Sequence, residues 1–181
     1  MVSTAPSEPT PVFVVHGRNT RLRDDVFAFL RALGLRPMPW STAVAATGQG
    51  SPYVGQTLDV AFEKAQAIIV LLTPDDEAHL RDVYQQENDP PHERDLTPQP
   101  RPNVLFEAGM AIGRNANRTI LVEVGSLRGF SDVGGRHTVR LSNDSVRRQE
   151  FAERLASAGC PVSYETTEWQ TVGRLELLEG E

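Results

Sequence analysis

Glu107 is the residue whose type and position most invite chemistry. In the string NVLFEAGMAIGR, Asn103–Arg114, the residues Val104, Ala108, Ala111 and Ile112 recur at steps of three and four and describe one apolar helix face. Glu107 falls three residues after Val104 and four before Ala111, so its carboxylate sits at the edge of that face. An acid there is partly buried or looks into a cleft, and either setting suits an electrostatic or acid–base role. The plain alternative is a solvated flank glutamate bonded to a nearby loop amide. Asn103, one turn earlier on the same side, is either its partner or an ordinary first-turn polar residue.

A second group of polar residues follows the apolar runs. His16, Gly17 and Arg18 come directly after PVFVV, where a histidine is a proton carrier or a structural residue and an arginine is a phosphate clamp or a surface charge. Trp40 and Ser41 follow LRPMP, and the indole could stack on a ring or belong to the core. Asp75 and Asp76 follow AIIVLLTP, where acids also cap turns. The mixed charges of Arg147–Arg154 read as a solvated helix face.

Other chemistries lack their residues. The single lysine, Lys64, lies in a helical pattern and no GxxxxGK[ST] exists, which excludes a P-loop nucleotide hydrolase. Gly48, Gly50 and Gly55 do not fit GxGxxG, and there is no GxSxG nucleophile elbow. Four histidines without ligand spacing and one cysteine, Cys160, make no zinc site and no internal disulfide, so no metal is expected.

The elements that must position these residues are legible as periodicity. Pro11–His16, Leu35–Trp40, Ala67–Leu72, Arg118–Val124 and His137–Leu141 read as strands, the second at an edge because of its two prolines. Leu22, Val26, Phe29, Leu30 and Leu33 mark a first helix, with Asp24 and Asp25 in its first turns and a Schellman-type stop at Gly34-Leu35. Val54, Leu58, Ala61, Phe62 and Ala65 mark a second, and a last helix spans about Val146–Ala158, capped from Ser142–Asp144 and stopped by Gly159-Cys160-Pro161. Between them, Ser41–Pro52 reads as a small-residue loop, Thr73–Arg101 as a long polar connection with five prolines, and the stretch before His137 as a glycine-rich loop. Strand–helix alternation with continuously apolar strands implies a parallel α/β sheet covered on both faces, whose ligands sit beyond the carboxyl ends of the strands.

Composition sets the outer limits. The 181 residues, 39 % hydrophobic and 23 % charged, suffice for one globular domain. A net charge of −6 gives no global footprint for nucleic acid, and the longest apolar run is six residues, far short of the roughly 18 needed to cross a bilayer. Residues 1–10 read as a disordered leader without a secretory pattern, residues 11–173 as the folded domain and residues 174–181 as a C-terminal tail. A cytoplasmic location is expected.

Beyond these readings, VFVVHGRN, SPYVGQTLDVAFEKAQAIIVLLTPDDE, QPRPNVLFEAGMAIGR, GRHTVRLSN and GCPV resemble bacterial TIR-like domains, the effector domains of cyclic-oligonucleotide and cyclic-pyrimidine antiphage systems. The resemblance covers about Pro11 to Gly173. It implies a flavodoxin-like five-stranded sheet of order 2-1-3-4-5 and an NAD⁺ glycohydrolase activity, with NAD⁺ as substrate and no cofactor. Glu107 would be the catalytic glutamate, and His16, Gly17, Arg18, Trp40, Ser41, Asp75 and Asn103 the substrate-binding candidates. The Ser41–Pro52 loop would mediate self-association, and a cyclic-nucleotide sensor domain or partner would supply activation. Two rivals stand beside it: a non-catalytic TIR interaction module, and a nucleoside N-glycosidic hydrolase or transferase on the same sheet.

Overall fold

The computed structural model describes residues 8–129 and 135–181. Five strands pair in parallel: β1 (Pro11–Val15), β2 (Arg36–Met38), β3 (Ala67–Leu72), β6 (Thr119–Glu123) and β7 (Val139–Arg140), in the order β2-β1-β3-β6-β7. Two further short strands, β4 (Asp76–Ala78) and β5 (Thr97–Gln99), form an antiparallel hairpin of their own. Leaving that hairpin out of the count, the order is the expected 2-1-3-4-5. The strand β2, which keeps Pro37 of the two prolines, lies at an edge of the sheet, where a missing N–H costs no ladder bond.

Six α-helices occur among the described residues: α1 (Thr20–Ala32), α2 (Trp40–Ala46), α3 (Val54–Lys64), α4 (Pro91–Arg94), α5 (Pro102–Asn115) and α6 (Ser145–Ser157). Every residue of β3 is buried, and its side chains alternate between two cores. Ala67, Ile69 and Leu71 join Leu22, Val26 and Phe29 of α1 and Phe151 and Leu155 of α6. Ile68, Val70 and Leu72 join Leu58 and Phe62 of α3 and Val104, Ala108 and Ala111 of α5. A strand apolar on both faces needs a helix layer on each side. On the first side Phe29 and Phe151 stack, ring centroids 5.4 Å apart and planes nearly parallel, and so join α1 to α6.

The helix ends follow their sequence signals. Asn19 caps α1 by accepting the Leu22 N–H at 2.9 Å. At its other end Gly34, at φ +78°, donates to Arg31 O while Leu35 N–H reaches Leu30 O at 3.0 Å, which is the Schellman geometry. Asp144 caps α6 through Oδ1, which accepts the Val146 and Arg147 N–H groups.

Several expectations are corrected. The first half of Ser41–Pro52 is helical, as α2, and only Thr47–Tyr53 is loop. Three alanines in WSTAVAA favour helix, and Ala43, fully buried against the α3–α5 core, fixes it. The Thr73–Arg101 connection is organised by the β4–β5 hairpin, a turn at Asp82–Tyr84 and the one-turn helix α4. Because α1 starts at Thr20, Asp24 and Asp25 fall in its second turn. The supposedly solvated face of Arg147–Arg154 contains Arg148, which is buried. Residues 174–181 pack onto the body, with Leu175 fully buried in the α1–α6 core. Of the expected leader only residues 8–10 are described, and part of the glycine-rich loop before His137 lies outside the described residues. Among the described residues no helix is long and apolar enough to cross a membrane.

Candidate functional site

The carboxyl ends of β1 and β3 are tied together by one aspartate. Asp75 Oδ2 accepts the Arg18 backbone N–H at 3.1 Å and the Thr73 hydroxyl at 3.0 Å. Thr73 is buried, so this bond satisfies a hydroxyl that water cannot reach. Gly17 is packed so closely on the same carboxylate that a Cβ there would stand 1.5 Å from Oδ2. Asp75 thus sets the shape of the His16–Arg18 turn, with Oδ1 remaining for a ligand. His16, half-buried, has Nδ1 2.9 Å from Gly17 O. That bond requires the Nδ1–H tautomer and leaves Nε2 as an acceptor. Burial lowers its pKa, partly opposed by the bond to Gly17 O, so the ring is neutral at pH 7. The exposed Arg18 guanidinium makes no hydrogen bond among the described residues.

Two adjoining clefts open here. One, of about 430 Å³, is lined by Arg18, Asn19, Arg21 and Asp75 together with Leu177 and Glu181. The other, of about 830 Å³, runs from Pro74 and Asp75 past Pro98 and Ser126, again walled by Leu177 and Glu181. The structure therefore brings Arg18 and Asp75 together. Glu107, Trp40, Ser41 and Asn103 line neither cleft.

Those residues lie on the α3–α5 face of the sheet. Because α5 runs back from the carboxyl ends of the strands to the start of β6, its N-terminal half lies at the ligand-facing edge. Glu107 is five residues beyond Pro102, about 7.5 Å down the helix axis. Its neighbours Val104, Ala108 and Ala111 are buried, and Glu107 itself is half-buried, as its place at the stripe edge requires. Its carboxylate has no hydrogen-bond partner among the described residues, and burial alone pushes its pKa above the ordinary glutamate value. Trp40 is 43 % exposed and reaches the same face through Phe13, whose ring is 6.4 Å from the indole. Phe13 shares a core with Val104 and Ala108. Trp40 after β2 and the helix α5 that carries Glu107 therefore share the face of the sheet on which Phe13 packs. Asn103 and Ser41 are exposed at the first turns of α5 and α2. No group of three or more histidine, cysteine, aspartate or glutamate side chains suited to a metal occurs among the described residues.

Residues 11–143 match the family model described as CAP12/Pycsar effector protein, TIR domain. The chain belongs to this TIR-domain family. A search of curated proteins returned no match. The parallel sheet of this TIR domain and the turn after β1 fall inside the matched span, as does α5 with Glu107; α6 and everything after it fall outside.

Sequence reasoning missed two arginines that shape the TIR domain's ligand-facing side. Arg148 donates to Trp169 O, Val172 O, Gly173 O and Asn143 Oδ1, at 3.1, 2.7, 2.6 and 3.1 Å. A signal existed: Arg148 lies three, four and seven residues before Phe151, Ala152 and Leu155, on the buried stripe of α6. Arg21 places all its hydrogen-bonding capacity on Asp25 and on residues 174–181. Apart from Asp25, one helical turn on, its partners lie more than 150 residues away, and no local pattern announces them.

Proposed function

We propose that this TIR domain is an NAD⁺ glycohydrolase, a cytoplasmic antiphage effector that cleaves the nicotinamide–ribose bond. The observation that carries the reading is the half-buried, unpartnered carboxylate of Glu107 on the N-terminal half of α5. A structural glutamate would be bonded or solvated, whereas this one holds a raised pKa with desolvation as the only cause. The chemistry asks for little more. Nicotinamide leaves NAD⁺ as a neutral base from a cationic pyridinium, so no general acid is required, unlike ordinary glycosidases with two carboxylates. Glu107 would hold the ribose hydroxyls and stabilise the oxocarbenium-like transition state, and water or the adenine of the same molecule would capture the ribosyl cation.

The surrounding residues suit the rest of the dinucleotide. The free Arg18 guanidinium matches a diphosphate, and the half-exposed Trp40 ring offers a stacking surface. His16 Nε2 and the Asn103 amide supply neutral polar groups, Ser41 a hydroxyl, and Asp75 holds the turn that carries Arg18. Self-association would act through the α2 segment and the Thr47–Tyr53 loop, with a sensor domain or partner raising local concentration.

The test is release of nicotinamide from NAD⁺ by protein at about 0.1 to 100 µM, a span that brackets association free energies of roughly 5–10 kcal/mol. Glu107→Gln removes charge and little volume, and should abolish turnover while keeping the fold. Retention of more than about a tenth of wild-type turnover, a barrier change under ~1.4 kcal/mol, overturns the assignment. Arg18→Ala should raise KM more than it lowers kcat.

A further inference from the structure

The segment Arg174–Glu181 lies across the carboxyl ends of three neighbouring strands, where a sheet of this class takes its ligand. Beside β1 it is held by Arg21. Nε and Nη2 of Arg21 donate to Glu181 Oε1 and Oε2 at 3.1 and 2.6 Å, Nη2 also to Glu176 O, and Nη1 to Arg174 O and Asp25 Oδ2. Four of those five bonds go to the segment, which uses the planar fork of an arginine completely. Beside β3 and β6, Leu177 rests on Pro74 and Gly125; a Cβ on Gly125 would come within 2.5 Å of Leu177 Cδ1. Behind it, Leu175 N–H donates to Asn143 Oδ1 at 2.8 Å.

Two features separate this from ordinary chain packing. The family match ends at residue 143, so the segment lies outside the matched span. Its anchors also differ in kind. Leu175 is fully buried and fixes one end, whereas Leu177, Leu178 and Glu181 are only part-covered and hold by a partly exposed ion pair and one apolar contact. The near end is fixed and the far end is latched. The hydrogen bonds from Arg21 draw the Glu181 carboxyl down to about 2.

We propose that residues 176–181 form an autoinhibitory strap, latched by Glu181 on Arg21 and by Leu177 on Gly125, which narrows the cleft where a diphosphate-bearing substrate would meet Arg18. Release of the strap frees Nε and Nη2 of Arg21 beside Arg18, while Nη1 keeps its bond to Asp25. This rests on the proposed NAD⁺ reading for its substrate and not for its mechanics.

The experiment compares the full wild-type chain with Glu181→Ala and with Leu177→Ser/Glu181→Ala. The single variant carries the test should the double one lose its cooperative melt. Hydrogen exchange over residues 176–181 reports release, calorimetry with ADP-ribose reports the cleft, and nicotinamide release reports turnover. The expected result is at least fivefold faster exchange in the segment with about tenfold tighter ADP-ribose binding and a matching rise in turnover. Protected exchange in both variants overturns the latch, and fast exchange with unchanged affinity and turnover overturns the inhibition. Glu107→Gln in the released background separates the two readings. Affinity gained with turnover indifferent to Glu107 sinks the catalytic assignment and leaves the strap. Turnover dependent on Glu107 but indifferent to release does the reverse.

Discussion

Replacing Gly17 by alanine tests the clamp at the carboxyl end of β1 more sharply than any loss of a side chain. Gly17 is not at positive φ, so alanine meets no intrinsic backbone penalty there. The entire cost must come from the new methyl group, which would stand 1.5 Å from Asp75 Oδ2 and 2.7 Å from its Cγ. No small adjustment relieves that overlap, so the Asp75 side chain has to swing out. It then gives up the Arg18 N–H and leaves the buried Thr73 hydroxyl without its acceptor. Bonds to a carboxylate are worth about 1.5–3 kcal/mol each, and the half-exposed site favours the lower end, so the loss is about 3 kcal/mol. For a domain of this size that lowers Tm by about 6–12 °C. Asp75→Ala discards the same two bonds and should cost about as much. The informative variant is the double one. With Asp75 already removed, the Gly17 methyl has nothing to strike, so Gly17→Ala/Asp75→Ala should be no less stable than Asp75→Ala. Urea unfolding of the four proteins gives the coupling directly. If the two single losses simply add in the double variant, the clamp is not what constrains Gly17.

Three further predictions follow from the buried groups. Glu107→Gln should raise stability at pH 7 even as activity falls, because the folded pKa lies above the unfolded one. Folding then favours the protonated acid, and the penalty of the desolvated charge is present at neutral pH and disappears as pH falls through the folded pKa. Chemical denaturation at pH 7 and pH 4 should show the gain shrinking, and a variant less stable than wild type at pH 7 contradicts this. Arg148→Met should cost at least about 3 kcal/mol, because it strands three carbonyls and leaves the Asn143 amide oxygen only its Leu175 bond, and lysine should restore less than half of that. A loss under about 1 kcal/mol in urea unfolding would remove Arg148 from the framework. Cys160 is buried with its thiol pushed up to about 11, so a disulfide reagent at pH 8 should label it only as fast as the protein opens. Immediate labelling of the native protein would refute that.

What was legible in the sequence was whatever one element could say for itself. The runs PVFVV and AIIVLL announced buried central strands because both of their faces are covered, leaving no polar alternation to confuse them. Gly34 announced a Schellman stop, and Glu107 at the edge of an apolar stripe announced its own half-burial. The failures came where a distant partner decides. In STAVAATGQGSP the glycines dominated the reading, yet it is the packing of Ala43 on α3 that lets WSTAVAA fold as helix. Arg148 looked like one charge among many until Trp169, Val172 and Gly173 came round to meet it. The polar stretch after β3 hid a hairpin because its strands are three residues each, too short to show a period. Arg18 and Asp75 are each site candidates by sequence, but that the carboxylate of Asp75 shapes the backbone of Arg18 is a property of the folded chain alone.

That hairpin also brings together the two ends of the excursion between β3 and α5. Asp76 pairs with Gln99 and Ala78 with Thr97, so the excursion leaves and rejoins the body one strand spacing apart, about 4.8 Å. Beyond the pairing it is stitched to the body by the ion pair of Arg128 with Glu93 and by Arg128 N–H on Pro98 O at 2.7 Å. Its tip at Glu87–Asn88 is exposed. A chain that closes on itself in this way can carry a guest without stretching its host. A fluorescent reporter spliced at that tip would sit at the surface, outside the core.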